Sequence, residues 1–145
     1  MKPYSPSGPP GGETDSRGRI LLVEDDPDTA EFFRHVLTKR GPFDVTHTTD
    51  PVVALVLAIS EVWDLVLAST DLPAMSGYEM FGALRSLAPH LPVILVAHPL
   101  DSCPPVLGIR QPEAVLAKPV CADLLVATTR AAISRPRPIG LPEMQ

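Results

Sequence analysis

Cysteine is almost absent from this chain. Of 145 residues only Cys103 and Cys121 are cysteines, far apart and without a CxxC spacing. That argues against a disulfide framework or a thiolate metal site, and leaves two ordinary thiols of a reducing cytosol. No uninterrupted apolar run reaches about 18 residues, so no membrane-spanning helix is expected. No apolar stretch follows Lys2, so no secretory signal is visible. Clustered basic residues are lacking too. Twelve Lys and Arg stand against 17 Asp and Glu, for a net charge of −5, and only Arg130, Arg135 and Arg137 gather near the C-terminus. A nucleic-acid footprint wants Lys and Arg on one face, so this balance argues against one. The expectation is a soluble, cytoplasmic protein that contacts neither membrane nor nucleic acid.

Proline is plentiful, and its placement marks out the chain. Residues 1–18 hold Pro, Gly and Ser with no periodic apolar pattern. Such a segment cannot bury enough surface to offset its ordering entropy, so a disordered tail is expected. Residues 135–145, with Pro136, Pro138 and Pro142, should be an irregular second tail. The part between, 19–134, is long enough for one domain with its own core. Too few residues follow its last helix for an output domain, so a stand-alone domain is expected.

Within 19–134 short apolar runs alternate with helical patterns. Arg19 to Val23 reads as a strand followed by acids. Asp26-Pro27 supplies an N-cap and a proline at the first helical position. Ala30, Phe33, Val36 and Leu37 then recur at helical spacing, and Gly41 ends the helix. Phe43 to His47 is a second strand. Asp50-Pro51 repeats the cap signal before Val52 to Ile59, which is apolar almost all round and is read as a helix because of that cap. Leu65 to Ala68, Val93 to Val96 and Ala114 to Leu116 are the remaining strands. Gly77 to Ala88 is a helix with Met80, Phe81, Leu84 and Leu87 apolar. Val120 to Ser134 is the last helix, using Leu124, Leu125, Thr128 and Ala131.

Strands that are apolar throughout, separated by helices, imply an α/β fold with a parallel sheet covered on both faces. Five units of this length fit a flavodoxin-like, doubly wound sheet of order 2-1-3-4-5, with its site at the carboxyl ends of strands one and three. Between strands four and five, His98 to Pro112 contains four prolines and a glycine. Proline removes a donor and clashes with the preceding turn, so the fourth helix is expected to be shortened or missing.

Three groups of residues carry chemistry. Glu24, Asp25 and Asp26 close strand one. The run Trp63-Asp64-Leu65-Val66-Leu67-Ala68-Ser69-Thr70-Asp71-Leu72-Pro73-Ala74-Met75-Ser76-Gly77 is a strand, a sharp stop and a loop into a helix. Lys118-Pro119 follows strand five. Taken alone, the acids after strand one would do no more than complement a helix dipole. Together the three groups resemble the receiver domain of bacterial response regulators, over roughly Arg19 to Ser134. The resemblance implies two-component signal transduction. It assigns Mg²⁺ to the acidic pair Glu24 and Asp25, a hard cation on hard oxygen ligands. It assigns phosphate contact to Lys118 and the phosphoacceptor position to Ser69, with Asp64 five residues before, Pro73 four after and Gly77 eight after.

At that position the family has an aspartate. A serine hydroxyl cannot form the reactive acyl phosphate and is a weak nucleophile without a general base. No histidine is placed to serve as one, and no G-x-S-x-G elbow surrounds Ser69, so catalysis by a serine hydrolase is not expected. Ala97 stands where the family keeps a Thr or Ser on the phosphoryl group, and its methyl cannot bond there. Val115 replaces the aromatic residue that changes rotamer on activation. Ser69, Ala97, Val115 and Lys118 thus form a degenerate phosphoacceptor site.

The expectation is an aspartate-less pseudo-receiver. It is not an enzyme, requires no cofactor, and holds Mg²⁺ weakly if at all. Lys118 should pair with Glu24 or Asp25. Contact with a protein partner would use strand five, the last helix and the segment from Ala97 to Pro112. Two alternatives stay open: a small-molecule ligand in a pocket near Ser69 and Ala97, or phosphorylation on Asp71, two residues past Ser69 with the same strand parity.

Overall fold

The structure is a computed structural model that describes residues 18–98 and 111–134. Five short apolar runs become strands β1 (Gly18–Val23), β2 (Phe43–Thr48), β3 (Leu65–Ser69), β4 (Val93–Ala97) and β5 (Ala114–Ala117). They form one parallel sheet in the order β2-β1-β3-β4-β5. That is the flavodoxin-like order expected from the alternation of elements. Gly18 already belongs to β1, one residue into the expected tail. Both tails otherwise lie outside the described residues. So do the shortened fourth helix and most of the proposed Ala97–Pro112 contact segment.

Helices α1 (Pro27–Arg40), α2 (Pro51–Ser60), α3 (Gly77–Leu87) and α4 (Ala122–Ser134) cover the sheet. Successive side chains of a strand point to opposite faces, so each central strand feeds two cores. Ile20, Leu22, Leu65, Leu67, Ile94 and Val96 pack with α1 and α4 on one face. Leu21, Val23, Val66, Ala68 and Leu95 pack with α2 and α3 on the other. β3 and β4 are buried at every position, which explains their unbroken apolar sequence. Among the described residues no helix is long and apolar enough to cross a membrane.

The caps form as the sequence indicated. The Asp26 carboxylate accepts from the Thr29 amide at 2.9 Å and its hydroxyl at 2.6 Å. The Thr29 hydroxyl and then its amide hold the Asp26 carboxyl below its ordinary value. A carboxyl lowered in this way contributes stability above its unfolded pKa and loses it as pH falls through the folded one. The cap on α1 therefore outlasts an ordinary carboxylate on acidification. Asp50 caps α2 through the Val52 amide, and Ser76 and Glu79 close a reciprocal capping box on α3.

Three details differ from the sequence reading. Gly41 does end α1, but with φ −149°, an extended conformation open to any residue. Glycine is needed there because a Cβ would lie 2.4 Å from the Phe43 ring. In α3, Leu87 is exposed and Arg85 is buried instead. The Arg85 guanidinium lies over the Phe81 ring and donates to the carbonyls of Pro89 (2.6 Å) and Leu91. In α4 the buried residues are Leu125, Val126, Thr129 and Ala132, while Leu124 and Ala131 point outward. The helix starts at Ala122 rather than Val120, and its inward face follows from that phase.

Two glycines of α3 separate steric from entropic effects. A Cβ on Gly77 would sit 2.3 Å from the Ser69 carbonyl oxygen and 2.7 Å from Thr70 Cα, whereas one on Gly82 meets nothing within 4 Å. Gly77→Ala is expected to destabilise by about 1–3 kcal/mol or more through forced backbone movement. Gly82→Ala should stabilise by about 0.5–1 kcal/mol through the restricted unfolded chain. Urea midpoints at unchanged slope measure both; equal effects of the two would refute this reading of α3.

Candidate functional site

In a parallel sheet every strand delivers its carboxyl end to the same edge. β1 and β3 are adjacent there, and the chain leaves them towards opposite faces, which opens the crevice where such folds place their sites. Glu24 follows β1, Ser69 ends β3, Ala97 ends β4 and Lys118 follows β5. The α3 junction presses against this edge, since the Gly77 amide donates to the Thr70 carbonyl at 3.1 Å. The Lys118 backbone is anchored by its own amide, which donates to the Ala97 carbonyl at 2.9 Å. The Lys118–Pro119 peptide is cis.

The centre of the site is the Lys118 ammonium. It donates to Ser69 Oγ at 3.0 Å and lies 3.2 Å from Glu24 Oε1. Ser69 is 2% exposed and Glu24 1%, so both partners meet the lysine away from water. Glu24 Oε2 accepts from the Asp26 amide at 3.0 Å. Glu24 Oε1 has no hydrogen-bond donor, so the lysine meets that oxygen by charge alone. Ser69 Oγ accepts a second bond from the Asp71 amide at 3.2 Å. A hydroxyl oxygen has two lone pairs, and both are engaged.

The remaining residues named from sequence fall into place around this bridge. Of the acidic pair, Lys118 takes Glu24; Asp25 is exposed. Asp71 is also exposed, and reaches Ser69 through its backbone rather than its carboxylate. Ala97 is buried at 7% exposure, and Val115 is 41% exposed on the edge strand β5. This donor set offers a divalent cation little: Glu24 is committed to Lys118 and an amide, Asp25 is exposed, and the oxygen at the end of β3 is a neutral hydroxyl that the ammonium bridges to Glu24. Among the described residues no three His, Cys, Asp or Glu side chains come together as a metal-ligating group.

A cleft of about 600 Å³ lies beside the bridge, lined by Thr29, Phe32, Phe33, His98, Lys118 and Val120 among others. Neither Ser69 nor Ala97 lines it, so it is not the pocket expected between those two residues. His47, placed by the sequence only at the end of the second strand, has a specific contact that the sequence reading missed. Its Nε2–H donates to the Glu24 carbonyl at 2.9 Å. The register of β2 against β1 places it there, pairing His47 with Leu22 two residues before Glu24. That register is not visible in the sequence.

The sequence pattern of the response regulator receiver domain matches residues 20–130. The chain belongs to that family. Its relatives include the DNA-binding response regulator MtrA of Mycolicibacterium smegmatis, 34% identical over 82% of this chain and 52% of that protein. Another is the probable transcriptional regulatory protein SilR of Salmonella typhimurium, 36% identical over 54% of this chain and 34% of that one. This receiver chain therefore spans about half the length, or less, of the curated relatives it matches. Among solved structures, a putative response regulator from Chloroflexus aurantiacus superposes with a TM-score of 0.71 at 22% identity, covering 83% of this chain and all of that one. The chemotaxis response regulator CheY4 of Vibrio cholerae gives 0.67 at 22%, covering 81% and 99%. Both confirm the receiver fold.

These relatives correct one expectation. The acidic balance was read as leaving nucleic acid out of the partners, yet the matched proteins are named as DNA-binding and transcriptional regulators. Net charge describes the surface of the domain that carries it. It does not report what a longer protein containing that domain contacts.

Removing one member of a buried ion pair leaves the other charged and uncompensated. Lys118→Met is therefore expected to cost about 3 kcal/mol, read from the urea midpoint. Combining it with Glu24→Gln should recover most of that loss. A double variant as unstable as Lys118→Met alone would show that charge compensation is not what Lys118 provides.

Proposed function

We propose that this receiver domain transmits a signal without being phosphorylated, through contact with another protein, in the cytoplasm. It is a pseudo-receiver with no catalytic activity of its own and no required metal. The observation that carries this reading is the Lys118–Ser69 hydrogen bond at 3.0 Å. The lysine is spent on a neutral hydroxyl and on Glu24, in the arrangement the family resemblance reserves for a phosphorylated carboxylate.

The chemistry around Ser69 supports the same conclusion. Both lone pairs of its oxygen accept hydrogen bonds, and nucleophilic attack needs one of them free. His47 is directed at the Glu24 carbonyl rather than at the hydroxyl. Ala97 offers no hydroxyl to an incoming phosphoryl group, and Val115 offers no aromatic ring to reorient. A change confined to Ser69 would leave the rest of the relay intact; here its neighbours on β4 and β5 differ as well.

Incubation with Mg²⁺ and a small-molecule phosphodonor should leave the intact mass unchanged. A labile phosphoryl adduct that disappears in Asp71→Asn would replace this reading with phosphorylation on Asp71. Restoring a carboxylate with Ser69→Asp should strengthen Mg²⁺ binding about tenfold, or about 1.4 kcal/mol, by isothermal titration. It should bring no phosphorylation-dependent change in partner binding, because Ala97 and Val115 remain. Full switching from that single substitution would sink the proposal.

A further inference from the structure

The cleft beside Lys118 encloses about 600 Å³, against about 260 Å³ for a hollow at Trp63 and about 230 Å³ for one at Thr128. Small-molecule sites are concave, hold about 300–1,000 Å³, and combine mostly apolar walls with a few convergent polar groups. Of these three, only the cleft at Lys118 has that size.

Its walls are aromatic on one side. α1 contributes Phe32 and Phe33, whose ring centroids stand 5.9 Å apart at 51°, so the two rings make an angled surface. Phe33 is fixed in the core, while Phe32 keeps 42% of its surface open. Pro119 and Val120 add apolar surface from the turn between β5 and α4. A flat apolar group entering the cleft would cover the open ring and bury its own area at the same time.

Charge decides what that group carries. Two features favour an anion, the Lys118 ammonium and the positive amino end of α1, and both are already answered. Glu24 lies 3.2 Å from Lys118 Nζ. The helix end is worth about half a positive charge, which the Asp26 cap alone exceeds. Asp28 is left over. It lines the cleft, is exposed, and has no hydrogen bond or ion pair among the described residues. Asp25, close by in the chain, is exposed and unpaired in the same way. The face of an aromatic ring also attracts a cation through its quadrupole. Wall and rim therefore favour the same sign of ligand.

Spacing sets its length. Asp28 and Phe32 are four residues apart on α1, so they stack on one helix face with about 5–6 Å between Cβ atoms. A ring joined to an ammonium through two carbons spans a similar distance. We propose that the cleft between α1 and the β5–α4 turn binds a small arylalkyl ammonium ion, its ring on Phe32 and Phe33 and its charge at Asp28. The inference does not depend on how Ser69 behaves, since Ser69 does not line the cleft.

Titrating phenethylammonium into the isotope-labelled full chain should shift the amide signals of Asp28, Thr29, Phe32, Phe33 and Val120. Saturation should give a dissociation constant on the order of 1 mM, as suits about nine non-hydrogen atoms. Phenylacetate, a similar ring with the opposite charge, should bind at least about fivefold more weakly. Phe32→Ala should weaken phenethylammonium about fivefold. Asp28→Asn should weaken it about threefold without weakening phenylacetate, a split that a general loss of structure would not produce. Both substitutions are at exposed positions, and the comparison of the two probes on the parent chain needs neither of them. Equal binding of the probes, or tighter binding of phenylacetate, overturns the proposal. Shifts centred away from the cleft overturn it too, as does an unchanged affinity in both variants. No shift by about 10 mM does the same and leaves the cleft to a protein side chain.

Discussion

A single partly buried ammonium ties together three strands that are far apart in the chain. Lys118 comes from the turn after β5, yet its contacts belong to the ends of β1 and β3. Without it, Glu24 would be an uncompensated carboxylate buried at the rim of the sheet, which folding does not tolerate cheaply. The edge that carries receiver chemistry elsewhere in the family is here held by an ion pair and a hydroxyl. Structural need alone is reason enough to retain Lys118 and Glu24. Their presence therefore does not argue for phosphoryl transfer.

The fold was legible in the sequence because several independent signals agreed. The Asp-Pro pairs at 26–27 and 50–51 announce two helix starts, and both caps form. The second pair decided the hardest case, since Pro51–Ser60 is as apolar as a strand. What the sequence left open was rotational phase. Leu124 and Leu125 are equally apolar neighbours, and only the start of α4 decides that Leu125 faces inward. Leu87 and Arg85 exchange their expected places for a different reason. Arg85 finds two carbonyl acceptors and the Phe81 ring, so its long side chain can be buried with its charge satisfied.

The site was legible in identity but not in wiring. Spacing from Asp64, Pro73 and Gly77 located Ser69, and the clearance at Gly77 gives that spacing a physical basis: nothing larger fits against the Ser69 carbonyl. Whether Lys118 would choose Glu24 or Asp25 depended on burial at a strand end, which no local pattern encodes. His47 was missed for a similar reason, since its contact follows from the register of β2 on β1. The partner expectation failed on different grounds. It took the charge of one domain as a statement about the company that domain keeps.

Trp63 gives the molecule an internal reporter with a defined field of view. It is the only tryptophan in the chain, buried just ahead of β3, with its indole N–H on the Leu57 carbonyl at 2.8 Å and Arg19 stacked 4.2 Å above its ring. That is the amino edge of the sheet, a full strand length from Ser69. Its fluorescence should follow unfolding closely while staying blind to events at the Lys118 bridge. The same ring touches the last turn of α2 and shares Arg19 with Glu61 and Val62. Emission from this one residue therefore listens to the valine-rich helix and is deaf to the site for which the family is known.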